Sequence, residues 1–566
     1  MLVGIDLGTT NSLISVFRNG KTELIPNALG HVLTPSAVSV ADDGSFLVGL
    51  AARERASTHP GQTAQAFKRW MGTEHAVALG TRRMRAEELS ALVIGALLAD
   101  ARAYLGEPVT EAVITVPAYF NDVQRKATQA AGTLAGIKVE RLLNEPTAAG
   151  LAYGLQERPD HSTFLVFDLG GGTFDVSVLE YFEGVVEVRA SAGDTRLGGE
   201  DFAQVLVDWF LEKTPALGNV HRDVIVSEGA LWRAAEQAKR DLSEGEAAQI
   251  RLQRDGAVHV LDVTRAEYER RCADLLQRLR RPVERALMDA RLDAGSLSEV
   301  VLVGGASRMP MVRQMVTRLF GRLPLRTINP DETIAHGAAV QAALKARDAA
   351  LDEVVLTDVM PYSLGIVVSD EIGGRRYADR FSPIIERNTP VPVSRVQTYG
   401  TMQDGQTQID IHVCQGESPV ASENLRLGSL SVDVPPRARG EISVNVRFTY
   451  DVNGLLEVQA DVPAIGKTVN TLIQRDAKVM TPQQIATALD KLRALKIHPR
   501  EQQENAYLVA RAKRLYEDRL GQARQDVAHA LVRFEAILDG QDERTIRQVR
   551  SEFRDYLDSI DKGFVL

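Results

Sequence analysis

Two short turns rich in glycine and threonine are the parts of this sequence best suited to bind phosphate. Glycine lets the backbone approach an anion and adopt positive φ, and threonine adds a hydroxyl donor. The candidate contacts are Gly8, Thr9, Thr10 and Asn11 in the first turn and Gly170, Gly171, Gly172 and Thr173 in the second. A third pair, Gly304-Gly305, follows an apolar stretch. One such turn could be an ordinary hairpin, but together they indicate two lobes holding a polyphosphate.

Three aspartates, Asp6, Asp168 and Asp175, lie in or beside these turns. A carboxylate repels phosphate unless a cation lies between them, and Mg²⁺ takes oxygen ligands while keeping several waters. Aspartate also caps turns for purely structural reasons. Because each aspartate is paired with a phosphate-type turn, we expect them to hold Mg²⁺, partly through water.

Other motifs for phosphate or metal chemistry are missing. Gly466-Lys467-Thr468 resembles the end of a P-loop, but Asp461 stands where that motif needs glycine. Cys272 and Cys414 follow no metal-ligand spacing. We interpret them as core or semi-buried thiols, consistent with a reducing compartment.

The elements that position the turns form an internal repeat. Residues 2–17 (LVGIDLGTTNSLISVF) and 164–179 (FLVFDLGGGTFDVSVL) share strand, Asp-Leu-Gly turn and strand, which indicates a duplicated lobe. Segments with apolar residues at helical spacing alternate with apolar strands, which predicts α/β layering. The predicted helices are 86–105, 122–136, 228–243, 264–291 and 310–320.

The pattern changes twice in the last 220 or so residues. Strict apolar–polar alternation from 360 to 474 predicts a compact antiparallel β module. Thr481-Pro482 then suits a helix start. Apolar residues at helical spacing predict a small bundle: Ile485, Leu489, Leu492 and Leu495; Val527, Leu531, Phe534 and Leu538; Ile546, Val549, Phe553 and Leu557.

Composition excludes some functions. A chain of 566 residues predicts roughly four compact units. A net charge of −9 argues against a general nucleic-acid binder. No apolar run is long enough to span a bilayer, and the start MLVGIDLG lacks a secretory pattern. We therefore expect a cytoplasmic protein with neither nucleic acid nor membrane as partner.

Long motifs in a fixed order resemble the 70-kDa heat-shock chaperones, the DnaK class, along nearly the whole chain, and within them the bacterial HscC subgroup. They are GIDLGTTNS (4–12), AFKRWMG (66–72), ITVPAYFNDVQRKAT (114–128), RLLNEPTAAGLAYG (141–154), VFDLGGGTFDVSVLE (166–180), SAGDTRLGGEDF (191–202), EQAKRDLS (236–243), VLVGGASRMP (301–310) and NPDETIAHGAAVQAA (329–343).

The resemblance implies a multidomain chaperone. Residues 1–350 would form an actin-like, two-lobed ATPase, 351–359 an interdomain linker, 360–478 a peptide-binding β-sandwich and 479–566 a helical lid. Such a protein binds exposed apolar segments of unfolded polypeptides. It cycles between low- and high-affinity states through ATP hydrolysis and serves protein folding and the stress response.

The resemblance also assigns catalytic roles. Lys68 would contact the γ-phosphate and place the attacking water, Glu145 would orient water and metal, Thr173 would contact the γ-phosphate, and Asp168 would join the Mg²⁺ shell. ATP/ADP, Mg²⁺ and K⁺ are the implied cofactors. Further nucleotide contacts would come from Gly199, Glu200, Glu236, Lys239, Ser243, Gly304, Gly305, Arg308 and Asp331. Ala306 replaces a polar residue of the family.

Peptide and coupling sites follow from the same resemblance. The groove would be lined by Ile366, Tyr399, Met402, Ile409 and Ile411. Residues 369–380 depart from the family's shorter loop. The relay between the sites would use Pro117, Arg125, Arg141, Asn144 and Asp358. Arg141 and Asn144 would also meet a J-domain co-chaperone.

Some features narrow the expected partners. The stretches 71–87 and 244–258 are short where a GrpE-type exchange factor binds in the family, which argues against dependence on one. The ending KGFVL lacks the EEVD that tail-reading adaptors recognise.

Two rival functions fit parts of the sequence. A sugar or metabolite kinase of the actin-like superfamily would explain the phosphate turns but not the β module. A non-hydrolysing exchange factor would not need the intact set of Lys68, Glu145 and Thr173.

Overall fold

The structure of the protein is a computed structural model. It describes residues 1–154, 162–182, 185–214, 229–254, 257–325, 328–346, 355–372, 375–391, 393–450, 456–473, 499–519, 521–539 and 543–561. These residues contain mixed α and β structure with thirteen α-helices. No helix among them is both long enough and apolar enough to cross a membrane.

The first lobe is built on a six-stranded sheet of order β11-β10-β1-β2-β3, with β4 paired to β2. Its strands are β1 (Leu2–Asp6), β2 (Asn11–Arg18), β3 (Lys21–Leu24), β4 (Thr34–Pro35), β5 (Ala37–Val40), β6 (Phe46–Val48), β7 (Thr63–Gln65), β8 (Ala76–Leu79), β9 (Arg82–Arg85), β10 (Glu111–Val116) and β11 (Lys138–Asn144). Its helices are α1 (Leu50–Thr58), α2 (Ala86–Leu105), α3 (Asp122–Leu134) and α4 (Glu145–Ala152).

The second lobe repeats this plan on a sheet of order β17-β12-β13-β14-β18-β21. The last two strands of this order, β18 (Val355–Val359) and β21 (Pro390–Val391), come from later in the chain. Its strands are β12 (Ser162–Leu169), β13 (Phe174–Phe182), β14 (Val185–Asp194), β15 (Ala247–Arg254), β16 (Ala257–Thr264) and β17 (Glu299–Val303). Its helices are α5 (Gly199–Lys213), α6 (Ala230–Glu244), α7 (Arg265–Arg271), α8 (Ala273–Ala290), α9 (Pro310–Phe320) and α10 (Thr333–Ala346). The helix predicted over 264–291 is therefore two helices, which meet at Cys272.

The repeat places the two phosphate-type turns in equivalent positions. β1 pairs antiparallel with β2 across the first turn, and β12 pairs antiparallel with β13 across the second. β10 runs parallel to β1, and β17 runs parallel to β12. The two turns therefore lie at equivalent edges of their respective sheets.

Helices α4 and α10 pack closely against each other where the two lobes meet. A Cβ on Gly337 of α10 would lie 1.8 Å from the carbonyl oxygen of Ala148 on α4, and a Cβ on Gly4 would lie 2.5 Å from the backbone of Ala338. Only glycine permits these approaches. One buried apolar cluster, which includes Leu143, Val166 and Ile334, spans the junction.

The β module consists of two four-stranded antiparallel sheets, β20-β19-β23-β24 and β22-β25-β26-β27. Its strands are β19 (Leu364–Ile372), β20 (Arg375–Ile385), β22 (Val393–Gly400), β23 (Gln408–Gln415), β24 (Leu425–Asp433), β25 (Ser443–Tyr450), β26 (Leu456–Val462) and β27 (Lys467–Leu472). Buried side chains from both sheets, among them Val413, Phe448 and Val458, form one core. Alternation along the strands places these residues inside.

The strand β18 covers most of the segment expected to be a linker. It pairs in parallel with β14 of the second lobe and antiparallel with β21. Residues 355–359 are thus a strand of the second-lobe sheet, which ties the β module to that lobe through backbone hydrogen bonds.

The tail contains α11 (Pro499–Glu517), α12 (Gly521–Asp539) and α13 (Glu543–Asp561). Apolar side chains at the predicted helical spacing, including Val527, Phe534 and Leu557, form its small core. The predicted helix start at Thr481-Pro482 and the apolar face from Ile485 to Leu495 lie outside the described residues.

Candidate functional site

A cavity of about 620 Å³ lies between the two lobes. The predicted residues that line it are Asp6, Gly8, Thr9, Thr10, Asn11, Lys68, Glu145, Asp168, Gly170, Gly171, Thr173, Gly199, Glu200, Glu236, Lys239, Ser243, Gly304, Gly305, Arg308 and Asp331. The fold therefore brings residues more than 300 positions apart to one cleft. Gly172 and Asp175 lie beside this cavity without lining it.

The glycines of the two turns are required by close contact. A Cβ on Gly171 would lie 1.9 Å from the Thr10 hydroxyl of the other lobe, and a Cβ on Gly8 would lie 2.0 Å from the Asn11 carbonyl oxygen. Neither turn contains a residue with positive φ, so close approach rather than backbone conformation explains glycine at positions 8 and 171. Positive φ occurs at Gly304, where φ is +79°.

Lys68 and Glu145 form a buried ion pair in the cleft, with Nζ 3.1 Å from Oε1. Their side chains are only 4% and 9% exposed. Lys68 stands on a tight 3₁₀ turn (Phe67–Trp70) that follows Ala66, whose φ is +53°. Glu145 is the first residue of α4, where the helix N-terminus favours a negative charge. The pair places a cation and an acceptor beside both phosphate-type turns.

The three aspartates lie in a poorly hydrated region crowded with negative charge. Burial, with Glu145 as the next cause, raises the pKa of Asp6 and that of Asp175 to about 7, and also raises the pKa of Asp168. Asp6 accepts a hydrogen bond from the Thr115 hydroxyl at 3.0 Å, and Asp175 accepts one from the Tyr119 N–H at 3.1 Å. Asp175 therefore faces residues 117–120.

This carboxylate set fits a hydrated Mg²⁺ ion. Within the described ranges, no group of three or more acidic, histidine or cysteine side chains is arranged to hold a metal by itself. Asp6 and Asp168 are the two predicted ligands that line the cavity. Two carboxylates completed by water and phosphate oxygens suit Mg²⁺, which seldom uses an all-protein cage. A cation would also favour the charged form of both carboxylates, against the burial and the repulsion that raise their pKa values.

Arg69 reaches across the cleft and was not predicted as a site residue. Its guanidinium lies 2.8 Å from Asp201 and 3.3 Å from Glu200, both at the start of α5. Its Nε would lie 2.8 Å from a Cβ on Gly172. Burial raises the pKa of Glu200 to about 7 against the opposing effect of Arg69. The signal available in the sequence was its place next to Lys68 in the AFKRWMG motif.

The other end of the cavity is lined by α6 and the turn after β17. Lys239 donates to the Gly199 carbonyl oxygen at 2.9 Å and pairs with Glu236 at 2.6 Å. Arg308 pairs with Asp331 at 2.7 Å. Glu236, Lys239 and Ser243 share one face of α6, as their spacing predicted. Lining residues that the sequence did not single out include Arg53, Glu54, Trp232, Arg233 and Arg240.

Four of the five predicted peptide-binding residues, all but Met402, belong to or pack against one apolar cluster of the β module. Ile366 and Ile411 are 4% and 2% exposed and belong to the sandwich core. Tyr399, Met402 and Ile409 are half-buried, and the Tyr399 hydroxyl lies 3.0 Å from the Ser382 hydroxyl. The structure thus places the first two in the core and leaves the other three partly accessible.

Four of the five predicted coupling residues are connected by a continuous chain of hydrogen bonds. Asn144 donates to the Asp358 carboxylate. Arg125 donates to the Asn144 side-chain oxygen at 2.7 Å and to the carbonyl oxygens of Ala118 and Phe120 at 3.0 Å. Pro117 accepts from the Phe120 N–H at 3.1 Å. Arg141 instead donates to Gln341 at 3.2 Å. Burial lowers the pKa of Arg141, and the charge of Asp358 opposes this effect.

Further contacts between the ATPase lobes and the β module were not predicted. The Tyr362 hydroxyl donates to the Tyr119 carbonyl oxygen at 3.2 Å. Arg387 pairs with Asp289 of α8 at 2.8 Å, and these hydrogen bonds raise the pKa of Arg387. The Asp122 N–H donates to Gln415 at 3.2 Å. Such contacts join residues far apart in sequence, so no local motif could reveal them.

Comparison with known protein families gives one match over nearly the whole chain. The family model described as Hsp70 protein matches residues 2–562. The match includes both lobes, the β module and the three tail helices.

Proposed function

The chain belongs to the Hsp70 family, whose members are generally ATP-dependent chaperones, and from this premise we propose that it hydrolyses ATP to drive cycles of peptide binding and release. The observation that carries the proposal is the buried Lys68–Glu145 pair, which faces both phosphate-type turns in one cleft. Its substrates would be ATP and exposed apolar segments of unfolded polypeptides.

Hydrolysis needs a positioned water and compensation of the charge that develops on the phosphoryl group. In our proposal the Lys68 ammonium stabilises that charge and helps place the water. Glu145 orients the same water through its carboxylate, and Thr173 donates to the γ-phosphate. Asp6, Asp168 and Asp175 would hold Mg²⁺ through oxygen and water, and this ion would supply further positive charge when bound. Buried groups do this well because little water screens them.

The nucleoside would occupy the end of the cleft between α6 and Arg308. Glu236, Lys239 and Ser243 present polar atoms from one helix face, and Arg308 is oriented by Asp331. Arg240, a lining residue of the same helix, adds a second guanidinium. A guanidinium group can stack on the face of a flat purine.

We assign peptide binding to the β module because it is an antiparallel sandwich with three half-buried side chains at the predicted positions. An extended peptide would bind through backbone hydrogen bonds plus an apolar pocket near Tyr399, Met402 and Ile409. The tail helices α11–α13 would cover this groove in the high-affinity state. In this structure α11 packs on the first lobe, and we propose that this is the open, low-affinity arrangement.

The hydrogen-bond chain from Asp358 to Pro117 would couple the two sites. Asn144 is bonded to the linker strand, and its chain neighbour Glu145 lies in the cleft. A change of nucleotide that moves α4 would therefore disturb the docking of β18. A J-domain co-chaperone would act at the exposed side of this region, through Arg141, Asn144 and Asp358.

Narrower assignments are also proposals. The short stretches in the ATPase lobes and the short tail favour the HscC subgroup and argue against dependence on a GrpE-type exchange factor. A cytoplasmic location, a role in the stress response and a K⁺ requirement follow from resemblance alone.

Steady-state ATP turnover, measured with and without an unfolded peptide and a J-domain, tests the proposal. We expect slow basal hydrolysis that requires Mg²⁺, rises with peptide and J-domain, and is abolished in Lys68→Ala. A matched control is Lys138→Ala, whose ammonium forms an exposed pair outside the cleft. Peptide-independent turnover of a sugar or metabolite as phosphoryl acceptor would instead identify a kinase.

A further inference from the structure

Two consecutive side chains on one tight turn are paired with opposite lobes of the cleft. Lys68 pairs with Glu145 of the first lobe, with Nζ 3.1 Å from Oε1. Arg69, the next residue, pairs across the cleft with Asp201 at 2.8 Å and with Glu200 at 3.3 Å, both at the start of α5 in the second lobe. The turn that carries Lys68 is therefore anchored on both sides of the cleft.

The start of α5 is itself attached to the second phosphate-type turn. The Glu200 N–H donates to the Gly171 carbonyl oxygen at 2.9 Å. A Cβ on Gly198 would lie 2.4 Å from the same oxygen, so only glycine permits this approach. Because these contacts involve the backbone of both segments, the start of α5 and the turn that carries Thr173 should move together.

Arg69 also lies directly against this turn. Its Nε would lie 2.8 Å from a Cβ on Gly172, the residue that precedes Thr173. The side chains of Arg69, Glu200 and Asp201 are 23%, 18% and 24% exposed, so water screens their ion pairs only in part. Arg69 is not among the residues that line the cavity. It therefore connects the two lobes at the edge of the site and leaves the cavity itself to other side chains.

We propose that Arg69 is a positioning residue for ATP hydrolysis, whose ion pairs with α5 set the distance between the Lys68 ammonium and the turn that carries Thr173. The inference rests on the proposed function, in which both groups contact the γ-phosphate. It adds a residue outside the cavity that fixes the spacing of two groups inside it.

The physical argument starts from the fact that Lys68 and Thr173 belong to different lobes. Covalent geometry does not fix their spacing, yet the transferred phosphoryl group must meet both at once. A misplacement of about 1 Å can cost roughly 100-fold in rate. A guanidinium holds its N–H donors in a rigid plane and can bind two carboxylates together, whereas an ammonium acts as a point charge. An arginine that binds both Glu200 and Asp201 therefore fixes direction as well as distance.

The test compares the single-turnover rate of ATP hydrolysis with the dissociation constant for ATP, both measured on the full chain with Mg²⁺. Arg69→Met keeps much of the stem and removes both ion pairs. We expect the rate to fall about tenfold while the dissociation constant changes by less than about threefold, because Arg69 lies outside the cavity. Arg83→Met, which removes an exposed arginine of β9 in the same lobe, is the matched control and should hydrolyse ATP at the wild-type rate.

Arg69→Lys separates position from charge. Lysine keeps the positive charge but lacks the planar fork, so the rate should stay at least about threefold below that of the wild type. Asp201→Asn retains an acceptor for the Gly198 N–H and removes one of the two ion pairs, so it should slow hydrolysis by a smaller factor than Arg69→Met. Combining it with Arg69→Met should slow hydrolysis no further, because both changes remove the same pair. Asp208→Asn, an exposed position on α5, is its control.

A wild-type rate in Arg69→Met would overturn the positioning role, and so would full recovery in Arg69→Lys, which would show that charge alone suffices. A loss of ATP affinity as large as the loss of rate would make Arg69 a binding residue and also contradict the inference. If the wild-type chain binds ATP without hydrolysing it, the proposed function fails and the inference fails with it. Thermal melting of each variant verifies folding.

Discussion

Asn144 and Glu145 are adjacent in the chain, but their side chains serve different parts of the molecule. The Asn144 amide donates to Asp358 on the strand that leads into the β module, whereas the Glu145 carboxylate pairs with Lys68 in the cleft. Both residues stand at the junction of β11 and α4. A small rotation of this junction would therefore affect the cleft and the linker strand together.

Replacing Asp358 with asparagine tests that coupling. The variant keeps the shape of the side chain but weakens the bond to Asn144, since a charged acceptor is stronger than a neutral one. Basal ATP hydrolysis should persist, while stimulation by peptide and a J-domain falls severalfold. Asp433→Asn, which removes a mostly exposed carboxylate of the β module, is the control. Undiminished stimulation in Asp358→Asn would argue against a role for the linker.

Thr173→Ala tests the γ-phosphate contact. The change removes one hydroxyl from the cleft and leaves the glycine turn intact, so ATP should still bind. Single-turnover hydrolysis should slow by about tenfold or more, because the lost donor acts on developing charge. Thr133→Ala, on the exposed side of α3, should hydrolyse ATP normally. A normal rate with tight ATP binding in Thr173→Ala would remove this residue from the site.

Asp175→Asn tests the electrostatic cost of the buried carboxylates. Asp175 is 3% exposed, and burial, followed by repulsion from Glu145, raises its pKa from 3.8 to about 7. The folded state therefore binds this proton more tightly than the unfolded state. The resulting destabilisation is absent below about pH 4, grows as the pH rises toward about 7 and is complete above that.

Asparagine retains the acceptor for the Tyr119 N–H and removes the charge. Without nucleotide or Mg²⁺, the variant should be more stable than the wild type at pH 8, by at most about 4 kcal/mol at 1.36 kcal/mol per pKa unit. The difference should vanish near pH 4. Thermal melting across this range measures it, with the exposed Asp274→Asn as control. A variant that is less stable at pH 8 would show that the carboxylate is already compensated in the free protein.

Ending the chain after Asp476 tests the tail. The truncation removes α11–α13 but leaves both sheets of the β module, so peptide should still associate. Dissociation from the ADP state should accelerate, because a cover acts mainly on the off-rate. We expect an affinity loss on the order of 1–2 kcal/mol, where 1.4 kcal/mol is tenfold. Fluorescent-peptide release measures it. Complete loss of binding by a folded β module would place the tail within the site.

The sequence alone determined most of the secondary structure and the types of site residue. Apolar spacing predicted α2 over its full range and α9 likewise, because a long amphipathic pattern is a local property. The duplicated Asp-Leu-Gly turns predicted two phosphate-binding lobes. The helix break at Cys272 escaped prediction, since helical spacing continues on both sides of it.

Only the tertiary structure decided which of these residues meet. Glycine is needed at positions 8 and 171 because a Cβ there would clash with the same turn or with the other lobe. Residue type alone did not reveal this steric reason. Asp175 faces Tyr119, β18 joins the second-lobe sheet, and Arg514 pairs with Glu54. The two side-chain contacts join residues 56 and 460 positions apart in the chain. The strand pairing joins β18 to the sheet of the second lobe. Periodicity reports only which face of an element is apolar, and the partner of each polar group depends on how the elements pack.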